Sequence, residues 1–303
     1  PGAVVNLIAG LRRRLTQRTN MIIDCHTHLF PPEIRKAREM YFPDESAFEL
    51  LYGDPRARMV GGRELIAAMD AEGVDRAVVF GFPWRQAKRF KRHNDYIMET
   101  VAAYPERLIG LACFDAVHPE AAAETRRCLD GGLAGAGELA FYEEGITAAS
   151  LAKLAPTMDV CRESGLPVML HTNEPVGHHY PGKAPNTLRQ IYDLVRRFPD
   201  NRIILAHWGG GIFFYHLLKK EVKDVLRHVY FDTAATPYLY DAAIWSTACA
   251  IVGADRILFG TDFPLLSPER YLKEIEAAGV SPEDRQQIMG ANAARLWGLA
   301  SEG

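Results

Sequence analysis

The chain has 303 residues, long enough for one large domain or two ordinary ones. Its 48% hydrophobic and 24% charged content is that of a soluble globular protein, and a net charge of −3 with a pI near 6.4 leaves no basic footprint for nucleic acid or an anionic membrane. No apolar run reaches the roughly 18–20 residues that span a bilayer, and five scattered cysteines without a Cys-x-x-Cys pair indicate free thiols in a reducing, cytoplasmic setting.

The first twenty residues, "PGAVVNLIAGLRRRLTQRTN", put Val4, Leu7, Ile8, Leu11 and Leu15 on a helical stripe. Their arginines follow the apolar residues, the reverse of a secretory signal. Residues 1–20 read either as a helix packed on the domain or as a leader ahead of Met21. "MIIDCHTH" (21–28) then reads as a strand that ends in two histidines. Side chains alternate along a strand, so His26 and His28 are expected on one face and Cys25 and Thr27 on the other. Two imidazoles on one face can share a metal ion.

Seven more β-rich runs follow: "RAVVFGF" (76–82), "RLIGLACF" (107–114), "LAGAGELAF" (133–141), "PVMLHT" (167–172), "RIILAHW" (202–208), "VYFDTA" (229–234) and "ILFGTDF" (257–263). Several are apolar through most of their length, as strands covered on both faces are. Helical patterns lie between them, such as "GRELIAAMDAEG" with its Gly73 stop and "NTLRQIYDLVRRFP" before the sixth run. "SPEDRQQIMGANAARLWGL" closes the chain as helices. This alternation predicts a (β/α)8 TIM barrel, one domain over 21–303. A doubly wound sheet is disfavoured because "HTHLFPPE" stands where its Gly-rich phosphate loop would be. The insertion at 30–60, rich in aromatics and prolines, suits a lid over the barrel mouth.

The C-terminal ends of barrel strands converge on one site. Here they carry His26 and His28, Glu138 in "GELAFY", His171 in "VMLHTNE", His207 in "ILAHWGGG" and Asp262 in "LFGTDFP". So many imidazoles and acids ending apolar runs need a shared purpose, and a divalent transition metal supplies one.

"DCHTH", "LHT", "AHWGGG" and "GTDFP", in this order, resemble the amidohydrolase superfamily. "NDYIMETVAAYPERLIGLACF" and "ANAARLWGL" are similar to its amidohydrolase-related branch, which includes aminocarboxymuconate semialdehyde decarboxylase. The resemblance implies His26, His28, His171 and Asp262 as metal ligands. It makes His207 a second-metal ligand or a catalytic side chain, and Asp262 a general base. Glu138 departs from the decarboxylase branch. It either bridges two metals or orients a ligand histidine from behind. One or two ions are therefore expected, with zinc the first choice.

A bound divalent metal lowers the pKa of water from about 15.7 to about 7. Hydrolysis of an amide, ester or lactone of a small carboxylated substrate is thus the first expectation, to which Glu138 leans. Non-oxidative decarboxylation of an aromatic or unsaturated acid is the alternative. "GFPWRQAKRFKRHND" offers Trp84 and Arg85 to the substrate. His178 and His179 read as loop residues, the glycines of "HWGGG" as room for the chain at the barrel mouth, and Asp232 as a partner of a ligand histidine or a structural acid. A small molecule is the expected partner, with pairing of two chains the further expectation.

Overall fold

A computed structural model describes residues 21–218 and 220–299; the expectation for residues 1–20 lies outside it. Each of the eight predicted runs forms a strand: β1 (Ile23–His28), β2 (Arg76–Phe80), β3 (Leu108–Gly110), β4 (Ala136–Leu139), β5 (Val168–Leu170), β6 (Ile203–Leu205), β7 (Val229–Asp232) and β8 (Ile257–Leu258). All neighbouring pairs are parallel, in the orders β1-β2-β3 and β4-β5-β6-β7-β8. Two bridges close the ring, Ala112 with Ala136 and Thr27 with Phe263. The chain is a (β/α)8 barrel, with helices such as Gly62–Glu72, Ala87–Ala103 and Leu188–Arg197 returning it between strands.

Alternate residues of each strand divide between two cores. Val79, Leu108, Leu170, Leu205 and Phe231 face the helices. Val78, Phe80, Ile109, Met169, Ile204 and Leu258 fill the barrel interior, where Ala293 and Leu296 of the last helix join them. That helix is tied down by Asn292, which donates to the carbonyls of Ala254 and Ile257, both at 2.7 Å.

Simple alternation fails at the most informative place. Cys25 belongs to the interior cluster with Phe80, and the Phe80 ring also lies 5.0 Å from His26 and 4.8 Å from His28. The pairing of β1 with β2 shifts register between Asp24 and Thr27. Such a bulge lets two consecutive residues share a side. Cys25 therefore does not point away from the histidines, as an unbroken strand requires.

The strands also stop earlier than their apolar runs. His171, His207 and Asp262 lie in the segments just past β5, β6 and β8. Backbone that has left the ladder can turn side chains inward. His207 (φ 54°) and Asp262 (φ 65°) both sit in the left-handed region, which few non-glycine residues occupy and which often marks functional sites. Gly209, Gly210 and Gly211 continue the left-handed turn, and a Cβ on Gly210 would lie 2.2 Å from the carbonyl oxygen of Asn173.

The insertion forms short helices, including Pro32–Lys36 and Ser46–Tyr52. Its Phe48 stacks on Phe82 and Trp84 of the loop after β2, with ring centres 5.2 and 4.4 Å apart. Buried Glu45 accepts the backbone N–H groups of Arg85 and Gln86 at 3.1 and 3.2 Å. No helix among the described residues is long and apolar enough to cross a membrane.

Candidate metal centre

Four histidines from β1 and the ends of β5 and β6 turn one ring nitrogen outward. His26 Nδ1 is 2.9 Å from Asp232 Oδ2, and His28 Nδ1 is 3.4 Å from the Gly81 carbonyl. His171 Nε2 is 2.8 Å from the Gly182 carbonyl, and His207 Nδ1 is 3.0 Å from that of Ala234. Carbonyl and carboxylate oxygens only accept, so each outer nitrogen carries a proton and donates it. The inner nitrogens, His26 Nε2, His28 Nε2, His171 Nδ1 and His207 Nε2, converge, and in the neutral rings they are the lone pairs a cation would take.

Two carboxylates meet them. Glu138 Oε1 lies 2.8 Å from His171 Nδ1 and 3.4 Å from His207 Nε2. Its Oε2 lies 3.6 Å from His26 Nε2 and 3.9 Å from His28 Nε2. Asp262 Oδ1 lies 3.2 Å from His28 Nε2 and 3.8 Å from His26 Nε2. His26 Nε2 is fully buried and has no hydrogen-bond partner.

This set fits a divalent cation. Ligand atoms of His26, His28 and Glu138 lie within 4.8 Å of one another, as do those of Glu138, His171 and His207 and those of His26, His207 and Asp262. The electrostatics agree. Burial opposes charge on His26, yet Asp232, Glu138 and Asp262 together raise its pKa to about 10. Burial likewise opposes charge on His207, and its hydrogen bond to Glu138 with the fields of Glu138 and Asp262 raises it to about 9. Burial would raise Glu138 and Asp262, but the surrounding imidazoles hold Glu138 well below the usual carboxylate range and Asp262 at about 2. The pocket thus concentrates negative charge that demands cations on its inner nitrogens. A metal ion meets that demand through the same lone pairs and releases the protons.

Asp232, fully buried at the end of β7, positions two of these histidines. Besides His26 Nδ1, it accepts the backbone N–H groups of His207 at 2.9 Å and Ala234 at 3.0 Å. Of its two readings from sequence, the structure gives it the histidine partner.

His28, Glu138, His171, His207 and Asp262 form the floor of a cavity of about 740 Å³. Its walls include Tyr52, Arg58, Phe82, Tyr142, Tyr238 and Leu265. A larger groove at the opposite end of the barrel, lined by Met21, Val74 and Leu299, contains none of the site residues. Trp84 and Arg85, offered to the substrate from sequence, do not line the cavity. Trp84 is fully buried among Phe48, Phe82 and Tyr41, and its Nε1 donates to His93 Nδ1 at 2.8 Å. The indole is consumed by packing the insertion onto the barrel. Arg85 points outward and pairs with Glu143 at 2.8 Å. His178 lines the cavity, whereas His179 does not. The sequence reading missed Tyr52, Arg58 and Tyr142. Tyr142 stood in the quoted "GELAFY", but nothing local marks which aromatic of an insertion faces a cavity.

A family model described as amidohydrolase matches residues 23–299. Gamma-resorcylate decarboxylase of Polaromonas sp. (strain JS666 / ATCC BAA-500) is 26% identical over 249 residues, covering 69% of this chain and 76% of the relative. The solved dihydroxybenzoic acid decarboxylase of Polaromonas sp. JS666, with bound manganese and 2-nitroresorcinol, superposes with a TM-score of 0.68 at 22% identity, over 92% of this chain and 97% of that one. The 5-carboxyvanillate decarboxylase of Novosphingobium aromaticivorans, complexed with manganese, gives 0.73 at 16% identity, over 93% and 97%.

Proposed function

The chain belongs to the amidohydrolase family, and from that premise we propose that it is a metal-dependent, non-oxidative decarboxylase of a hydroxylated aromatic carboxylic acid. The observation that carries the reading is that the curated relatives matched at 26% identity are gamma-resorcylate decarboxylases, and solved neighbours include 5-carboxyvanillate decarboxylase. The aromatic-walled cavity over the histidine floor has the chemistry for such a substrate. Hydrolysis, the first expectation from sequence, yields to decarboxylation on this ground.

His26, His28, His171 and Asp262 would hold the ion. Manganese or zinc both suit a site of imidazole and carboxylate without thiolate. When bound, the ion supplies positive charge that orients and polarises the substrate's oxygens. Asp262 accepts a proton from a substrate hydroxyl. His207, whose Nε2 faces the centre while Nδ1 is held by Ala234, delivers a proton to the ring carbon. The carbon–carboxylate bond then breaks, its electron pair returns through the ring to the deprotonated ring oxygen, and the carboxylate leaves as carbon dioxide.

One observation favours a second reading. The two oxygens of Glu138 face different histidine pairs, Oε1 toward His171 and His207, and Oε2 toward His26 and His28. A carboxylate so divided suits a bridge between two ions and a hydrolase. Elemental analysis of metal per chain, with carbon dioxide release from a panel of hydroxybenzoates, separates the two. One ion with gas release supports the proposal; two ions with cleavage of esters or lactones and no gas would refute it.

A further inference from the structure

We infer that the phenolic hydroxyls of Tyr52 and Tyr142 bind the oxygen substituents of the aromatic acid above the metal centre, and so select acids with a ring hydroxyl beside the carboxyl group. The inference rests on the decarboxylase reading above and names the residues behind its substrate class.

Tyr52 ends the insertion helix Ser46–Tyr52, and its ring is wedged against Phe30 at 4.9 Å and Phe48 at 5.1 Å. Tyr142 follows β4, with its ring 5.3 Å from that of His171. Both line the cavity beside Glu138, His171 and Asp262. Among the described residues, neither hydroxyl has a hydrogen-bond partner. Phenylalanine would pack against the same rings without a polar atom to satisfy. An uncommitted hydroxyl on a cavity wall is a group set aside for a ligand.

Of the other polar groups of the wall, Tyr238 and His178 are exposed to solvent, and the rest are committed or at the rim. Glu174 accepts from the Tyr180 hydroxyl and from Lys183 Nζ, both at 2.9 Å. Arg58 is exposed at the rim, with its guanidinium over the ring of Phe263 at 6.0 Å. Tyr52 and Tyr142 are the half-buried tyrosines of the wall whose hydroxyls are uncommitted beside the site's carboxylates. Phenols ordinarily titrate at about 10. They therefore stay protonated at working pH and donate. Neutral donors suit a phenolic oxygen, and they exchange no proton with the substrate. When carbon dioxide departs and His207 completes the new C–H bond, charge shifts onto the ring oxygen that these hydroxyls hold.

The test uses the full chain loaded with manganese, in wild-type form and as Tyr52→Phe and Tyr142→Phe. Binding of 2,6-dihydroxybenzoate and of benzoate is measured by calorimetry, and carbon dioxide release is followed separately. Melting temperature and metal content serve as controls. We expect wild type to prefer the dihydroxy acid by about tenfold or more, and each variant to lose about tenfold of that preference. Benzoate affinity and metal content should hold in the variants. Variants that keep the wild-type preference overturn the inference, as does a wild type with no preference. Lost preference in the variants without gas release from wild type sinks the decarboxylase reading alone. Gas release with unchanged preference in the variants sinks the tyrosine assignment alone.

Discussion

Replacing Asp232 by asparagine tests how the centre is assembled. Asp232 Oδ1 accepts two backbone N–H groups, from His207 at 2.9 Å and Ala234 at 3.0 Å, while Oδ2 accepts His26 Nδ1–H at 2.9 Å. Asparagine has one acceptor oxygen and one NH2 donor. The oxygen stays with the two backbone donors, so the NH2 group faces His26 Nδ1. Two donors repel at that distance. His26 must then carry its proton on Nε2, the inner atom that otherwise lacks any partner. The substitution removes one hydrogen bond to a charged group, worth about 1.5–3 kcal/mol, and spoils one ligand lone pair. Loss of such an outer partner typically costs about 10–100-fold in metal affinity, or about 1.4–2.7 kcal/mol. Competition of manganese or zinc between the protein and a fluorescent chelator measures this directly. Circular dichroism of the metal-free variant shows whether the barrel stands. A folded Asp232→Asn protein that binds metal within about twofold of wild type would show that the tautomer argument is wrong.

Three other outcomes follow from the packing. His93 accepts from Trp84 Nε1 at 2.8 Å and donates to the Leu29 carbonyl at 2.6 Å, so only its neutral form fits, and burial lowers its pKa from 6.5 to about 4. The unfolded chain binds the extra proton first, so this stabilisation is present above pH 6.5 and is lost as pH falls toward 4; at about 1.36 kcal/mol per pH unit it amounts to about 3 kcal/mol. Urea titrations at pH 7 and pH 4 should show His93→Gln losing less stability than wild type over that span; equal losses would remove His93 from the account. Trp84→Phe should lower unfolding free energy by about 1–3 kcal/mol through the lost hydrogen bond and volume, yet leave the substrate KM within about twofold, because the indole does not line the cavity; a large rise in KM would return Trp84 to the site. Gly210→Ala should destabilise by more than about 2 kcal/mol, since left-handed backbone at φ 62° alone costs alanine about 1–2 kcal/mol and its Cβ meets the Asn173 carbonyl; an undisturbed melting temperature would contradict the tight turn.

Local pattern was enough for the eight strands and for the side chains at their ends. A barrel strand buried on both faces must be apolar along its length, so a histidine or acid at its end stands out in one dimension. The glycines of "HWGGG" were legible as room for the chain, while the left-handed turn pressed against the Asn173 carbonyl that needs them came from the fold. The bulge in β1 was not legible, since it depends on register with β2 and leaves no mark in "IDCHTH". Nor was the fate of Trp84. An aromatic beside a basic run looks like a ligand contact until the insertion folds over and takes it as core.

By itself, the amino-acid order determined a (β/α)8 scaffold and put forward a list of candidate metal ligands, because hydrophobic period and strand-end chemistry are written locally. Tertiary structure decided which nitrogen of each histidine faces inward. The outer partners of those rings, Gly81, Gly182, Asp232 and Ala234, come from other parts of the chain, 11 to 206 positions away. Only closure of the barrel brings their oxygens within hydrogen-bonding distance, and a ring nitrogen's role is set by the oxygen it meets.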